Sequence, residues 1–304
     1  MGQAAYNFGM DDLDEFLAGV SRDVDITLDA LIPSADIAPV WLHEAVRWSV
    51  FAGGKRIRPA ILIAVGEAFG VRREMLLHTA AAFEMVHTYS LIHDDLPVMD
   101  DDDMRRGKAT CHRQFGEATA ILAGDVLQTL AFKAIADDRL LSAETRIEII
   151  SLLATAAGTP AGMVSGQQLD LDAEGKTLLL EQIERIHAQK TGALISAAAI
   201  AGATIGGAAG DEIEAVRSYA DKLGLLFQLT DDLLDVTQTS ETLGKTAGKD
   251  DKAEKATYPA YFGIEKTREM AVTIRDEARD SLNALERDTV LLRGFADMIV
   301  KRSR

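Results

Sequence analysis

The sequence predicts an all-α chain, and three observations carry that expectation. Six prolines are spread over 304 residues, so long stretches lack the residue that removes a backbone donor and clashes with the preceding turn. Alternating β-branched runs, the mark of half-buried strands, are few. Apolar residues recur instead three and four positions apart, the spacing that gathers them on one face of a helix. No repeat of fixed period and no Pro-, Ser- or Gly-rich linker divides residues 1–304, which read as one domain of about ten helices.

From the N-terminus, VWLHEAVRWSVFA (40–52) carries the first clear stripe, and GGKRIRP (53–59) breaks it with paired glycines. The next stripe, 75–93, stops ahead of Pro97, which disfavours helix at Leu96. Segments 117–136 and 145–157 follow, closed by GTPAG (158–162). Stripes at 179–204 and 212–235 are separated by GGAAG (206–210). The polar run LGKTAGKDDKAEK (243–255) precedes the last one, 264–286.

Apolar residues make up 47% of the chain, enough for a large core. Forty-eight acids against 32 bases leave a formal charge of −16, a field that repels nucleic acid and anionic lipid, so neither is an expected partner. An anionic ligand must then meet a local basic cluster. Cys111 is the only cysteine, which excludes an intrachain disulfide and favours a reducing compartment. The acidic start MGQAAYNFGMDDLDEF has no apolar leader, Tyr6 stands where a myristoylation motif takes Ser or Thr, and IVKRSR has no prenylation cysteine. ISAAAIAGATIGGAAG (195–210), the most apolar stretch, is short for a membrane span, and its small side chains suit close helix packing. The expected location is cytoplasmic, with no membrane span.

Two stripes end in carboxylates. In AAAFEMVHTYSLIHDD (80–95), Phe83, His87, Ser90 and Asp94 share one face, and His87, Leu91 and Asp95 share its neighbour. Both aspartates fall at a helix C-terminus, where the macrodipole already opposes negative charge. In KLGLLFQLTDDLLDV (222–236), Leu223, Phe227 and Asp231 are four apart, as are Asp231 and Asp235. Like charges on a half-buried face are costly unless paired, so two such clusters call for a common partner. Mg²⁺ fits, because it takes one or two carboxylates and completes its shell with water and substrate phosphate. Solvent exposure is the plain alternative, and for Asp101 to Asp103 it serves equally well. An EF-hand loop is disfavoured, because its Gly and distal Glu are not where it needs them.

Cations stand beside both runs. Lys190 falls in the apolar series Ile183, Ile186, Lys190, Leu194, Ala197 and needs an anion unless it snorkels. GGKRIRP puts Lys55 and Arg58 on a Gly-Gly turn, where backbone can approach a phosphate closely. Arg105 and Arg106 follow the first acidic run; Lys245, Lys249 and Lys255 follow the second. In so acidic a chain, this placement points to a polyanion bridged by metal, and diphosphate fits.

GGKRIRP, HTYSLIHDDLPVMDDDDMRRG, GQQLD (166–170), KTGALI (190–195), FQLTDDLLD (227–235) and LGKTAGKD (243–250) resemble, in content and order, the trans-prenyl diphosphate synthases over nearly the whole chain. The likeness is greatest to the bacterial farnesyl diphosphate synthases, whose first aspartate motif is lengthened as in Asp94 to Asp100. That resemblance implies an isoprenoid-synthase-type all-α bundle around a deep central cavity, assembled as a homodimer. It implies isoprenoid diphosphate substrates and about three Mg²⁺ ions gripping the diphosphate of an allylic one. The allylic substrate ionises to a carbocation, isopentenyl diphosphate attacks through its double bond, and loss of a proton completes a head-to-tail product.

Carried across by position, the resemblance makes Asp94 and Asp100 metal ligands with Asp95 in support, and Asp231 a ligand with Asp235 nearby. Arg105, Lys190, Thr191, Gln228, Lys245 and Lys255 would hold the allylic diphosphate, with Lys190, Arg105 and Lys245 closest to the catalytic event. Lys55, Arg58, His87 and Arg106 would hold the diphosphate of isopentenyl diphosphate. Helical spacing alone selects Asp101, seven after Asp94, so the choice of Asp100 belongs to the resemblance. A histidine on an apolar face is more often structural than a ligand, and His93 receives no role. Tyr89 lies five positions before Asp94, ~7.5 Å along a helix. In the family an aromatic residue there, with Ser90 beside it, floors the cavity and sets a farnesyl product; geranylgeranyl diphosphate is the alternative. The second cation set disfavours a terpene cyclase of similar fold, and the intact aspartates disfavour a catalytically silent subunit.

Overall fold

Each predicted stripe becomes a helix, and further helices form where no stripe was expected. The structure, a computed structural model, describes residues 10–237 and 257–302. In chain order the helices are α1 (Met10–Leu31), α2 (Val40–Val50), α3 (Ile57–Ala68), α4 (Leu77–Asp94), α5 (Cys111–Phe115), α6 (Glu117–Ala136) and α7 (Ala143–Ala157). They continue as α8 (Met163–Ala173), α9 (Leu180–His187), α10 (Ala193–Ile205), α11 (Asp211–Thr237), α12 (Tyr258–Phe262), α13 (Ile264–Ser281) and α14 (Val290–Lys301). Helix α3 shows no stripe in the sequence for a physical reason. Every residue from Pro59 to Gly66 is buried, and a helix enclosed on all sides shows no amphipathic face.

The core centres on α10, buried from Leu194 to Ala203. It crosses α3 so closely that a Cβ on Gly202 would press into the Leu62 carbonyl oxygen. The small side chains of 195–210 do pack helices tightly, as the sequence indicates. The segment 179–204 is not one regular helix, however. Between α9 and α10 the chain makes a π-turn, Ala188–Gly192, a local insertion common at functional positions. Helix α8 approaches it at Gly166, where a Cβ would strike the Lys190 backbone.

Helix α4 packs along α6, with the His93 ring lying on Gly124 and its Nε2 3.1 Å from the Ile121 carbonyl. His93 is thus a strut between two helices. Among the described residues, Glu117–Ala136 is the one helix long and apolar enough to cross a membrane by composition, and 39% of its most apolar window is buried in the fold. Ile121 and Leu122 on this helix are exposed. Beyond α4 a two-stranded hairpin, β1 (Met104–Arg105) and β2 (Lys108–Ala109), pairs Met104 with Ala109 and Arg105 with Lys108. Its two turn residues, Arg106 and Gly107, have φ of 51° and 76°, the left-handed pair that matches the twist of a tight hairpin.

Candidate active site

The first carboxylate cluster is built by the way α4 ends. Asp94 is its last helical residue, and the chain curls back so that the Asp100 amide donates to the Asp94 carbonyl at 2.8 Å. This return brings Asp100 beside Asp94, while Asp101, the choice of helical spacing, takes a left-handed φ of 51°. Burial pushes the Asp94 carboxyl up to about 6; Lys190 opposes this, Asp100 adds to it, and Arg105 opposes it. Asp95 is buried, and Arg105 Nε donates to both its oxygens, at 2.8 and 3.0 Å. The supporting carboxylate therefore orients an arginine. Asp101 and Asp103 are exposed, and Asp103 pairs with Arg113 at 3.1 Å.

Next to this cluster lies a strained cradle. Gly53, Gly54 and Arg56 have φ of 85°, 139° and 46°, with exposed Lys55 between them. Arg58 does not share that turn, contrary to expectation: it stands on the first turn of α3, because helix begins at Ile57. Its guanidinium is lowered to about 10 by burial, with Glu84 and Asp231 opposing the fall and Arg106 deepening it. Arg106 lies across Gly54, close enough to exclude any Cβ, and donates to the Gly53 carbonyl. His87, half-buried on α4, is held well below its ordinary range by burial and by the charges of Arg58, Arg106, Arg105 and Arg56. It is a neutral imidazole amid guanidiniums. The structure thus brings Arg58, His87 and Arg106 together.

The second cluster sits near the end of α11. Burial raises the Asp231 carboxyl, Arg302 pulls it back, Asp235 adds to the rise, and Lys55 and Arg58 oppose it. Asp231 therefore shares its electrostatic surroundings with the cradle. Arg302, just past α14, approaches Asp231 Oδ1 at 3.1 Å and covers the Phe227 ring at 4.7 Å. Asp232 is buried and accepts the Tyr258 amide at 2.9 Å, tying α11 to α12. Asp235 is exposed and Gln228 half-buried.

Lys190 occupies the π-turn and donates to Asp170 of α8 at 2.6 Å, with Asp94 and Asp100 also favouring its charge. The anion that its apolar stripe demanded is Asp170. Thr191 is half-buried in the same turn. Lys245, Lys249 and Lys255 lie outside the described residues. Tyr89 is buried one turn before His93, the two rings edge to face with centroids 5.9 Å apart. Ser90 donates to the His87 carbonyl at 2.9 Å.

Sequence reasoning missed Arg56, Glu84, Asp170 and Arg302. Glu84, a charge inside the apolar run AAAFEMV, was a legible signal, as was Asp170 within GQQLD. Among the described residues no three His, Cys, Asp or Glu side chains form a ready metal cage. Mg²⁺ does not require one: hard carboxylate oxygens at Asp94 and Asp100, with water and a substrate phosphate, suffice. The donors fit that ion.

A nearly all-helical fold that sets acidic helix ends beside clustered cations has the chemistry to hold a polyanion by charge. Residues 39–287 match the Polyprenyl synthetase family, and the chain belongs to that family as a prenyltransferase of trans-prenyl chain elongation. It is 50% identical over 267 residues to farnesyl diphosphate synthase of Escherichia coli strain K12, spanning 86% of this chain and 89% of that protein. Against the heterodimeric geranylgeranyl pyrophosphate synthase large subunit 1, chloroplastic, of Arabidopsis thaliana, identity is 48% over 273 residues, 88% and 73% of the two chains. An apo FPP/GFPP synthase from Zymomonas mobilis superposes with a TM-score of 0.86 at 37% identity, over 96% of this chain and 100% of that one. The fold is the isoprenoid-synthase type that the motifs implied.

Proposed function

We propose that this chain condenses isopentenyl diphosphate head to tail with dimethylallyl or geranyl diphosphate, in a Mg²⁺-dependent reaction that ends at farnesyl diphosphate. One observation carries the reading. Arg58 and Arg106 gather around the neutral His87 beside the Gly53–Gly54 turn, while Lys190 is anchored on α8 by Asp170 and Arg105 acts on both groups. Cations thus stand in two places, so two diphosphates can be held at once. Lys55, Arg58, His87 and Arg106 bind the diphosphate of isopentenyl diphosphate. Arg105, Lys190, Thr191 and Gln228, with Lys245 and Lys255, bind the allylic one. Asp94, Asp100 and Asp231 hold the metal, Asp95 fixes Arg105, and Asp235 stands in reserve. When bound, about three Mg²⁺ ions supply positive charge to the departing diphosphate. The chain's own cations share that task, and Lys190 is held in place for it by Asp170.

The aromatic floor supports the fifteen-carbon product, since Tyr89 is buried on α4 before Asp94 and braced by His93. Geranylgeranyl diphosphate is the second reading, favoured by plant relatives whose identity nearly equals that of the bacterial one. The exposed Ile121 and Leu122 on α6 support a homodimer that covers them, and the fold and bacterial relative support a cytoplasmic enzyme. Purified protein incubated with Mg²⁺, isopentenyl diphosphate and each allylic primer should yield a C15 product by mass spectrometry. No elongated product refutes the reaction; a C20 product selects the second reading.

A further inference from the structure

We propose that the buried Arg56–Glu84 pair is a positioning device for isopentenyl diphosphate, one that holds Lys55, Arg58 and His87 in place before the substrate arrives. The inference rests on the cation assignment above and goes beyond it, because neither Arg56 nor Glu84 faces solvent or substrate: their side chains are 1% and 3% exposed. Arg56 instead ties three helices to the cradle. Its Nη1 donates to Glu84 of α4 at 2.7 Å, its Nε to Asp25 of α1 at 3.0 Å, and its Nη2 to the Val50 carbonyl ending α2 at 2.7 Å. Only a planar fork of donors reaches three directions in this way.

Two facts connect that knot to ligand binding. Arg56 has a left-handed φ of 46°, a conformation a side-chain-bearing residue keeps only where its surroundings over-determine it. Lys55 precedes it and Arg58 follows two residues later, so fixing this backbone fixes both cations. Glu84 lies three residues before His87 on α4 and is therefore its neighbour on the helix surface. Its charge also favours the charged forms of Arg58 and Arg106. A buried ion pair adds little stability over an apolar replacement. Holding a strained loop and letting three guanidiniums gather without a ligand is what this one accomplishes, and such preorganisation lowers the cost of binding.

The test is steady-state kinetics with Mg²⁺, varying isopentenyl and geranyl diphosphate in turn, on wild type, Glu84→Gln and Arg56→Lys, with melting curves in parallel. Both variants should raise KM for isopentenyl diphosphate by about tenfold or more, while KM for geranyl diphosphate stays within about twofold. Equal changes in both KM values, an unchanged isopentenyl KM in a folded variant, or failure of both variants to fold assigns the pair to general stability and overturns the inference. Wild type that does not consume isopentenyl diphosphate overturns the proposed function and this inference with it. Wild-type turnover without the KM split overturns this inference alone.

Discussion

Asp94→Asn should make the metal-free protein more stable while removing its activity. Burial holds the Asp94 carboxyl at about 6, against an ordinary 3.8. A carboxyl that binds its proton more tightly folded than unfolded favours folding while protonated; that contribution is complete below the unfolded value and lost once pH passes the folded one. The difference corresponds to ~3 kcal/mol of extra cost for ionising Asp94 inside the fold. Half-burial lets water trim this to ~1–2 kcal/mol, or ~2–3 °C in Tm for a chain of this size. Asparagine keeps the shape and removes the charge. In EDTA at pH 7.5 the variant should therefore melt above wild type by that margin, and the gap should narrow as pH falls through about 6 and vanish only below about 3.8. Mg²⁺ with inorganic pyrophosphate should reverse the order, because wild type alone gains full ligand stabilisation. A variant no more stable than wild type at pH 7.5, or a gap independent of pH, refutes the reasoning.

Three further outcomes follow from the same geometry. Asp231→Ala should lower kcat by ~10²–10³ and leave the circular dichroism spectrum intact, because its ion pair with Arg302 is partly exposed and worth at most ~1 kcal/mol. Tyr89→Ala should lengthen the product beyond C15 by removing the aromatic floor; chromatography of the dephosphorylated alcohols checks this, and unchanged C15 output moves the floor elsewhere. Gly202→Ala should destabilise by ~1–3 kcal/mol, read by denaturant titration, since its methyl group meets the Leu62 carbonyl where α10 crosses α3.

Much of this was legible in the sequence because helical periodicity and charge are both local. The stripes at 75–93 and 212–235 correspond to α4 and α11 with their terminal aspartates, and Lys190, a cation in an apolar series, has an anion within the chain in Asp170. What stayed hidden was non-local. Helix α3 has no polar face to betray its period, and the π-turn around Lys190 depends on the close approach of α8 at Gly166. Arg58 was misplaced because a glycine pair marks a turn without saying where the next helix starts. Arg302 comes to Asp231 from just past α14, far along the chain, and no spacing rule connects the two.

Charge crowding explains how a chain of net charge −16 can take a polyanion. Asp170 holds Lys190, Asp95 holds Arg105, and Glu84 neutralises the field around Arg58 and Arg106. The acid at the far side, Asp231, has Arg302 for its cation. On the proposed function, ligand arrival would exchange one counter-ion for another instead of drawing bare charges out of water, so the desolvation penalty that dominates buried pairs would be largely met when the chain folds. Asp94 departs from this pattern: Lys190 and Arg105 only temper it, and burial still pushes it up to about 6. Its carboxyl closes the very helix whose preceding turns carry Tyr89 and His87, and on the proposed function a divalent cation would supply the charge that Lys190 and Arg105 leave unmet.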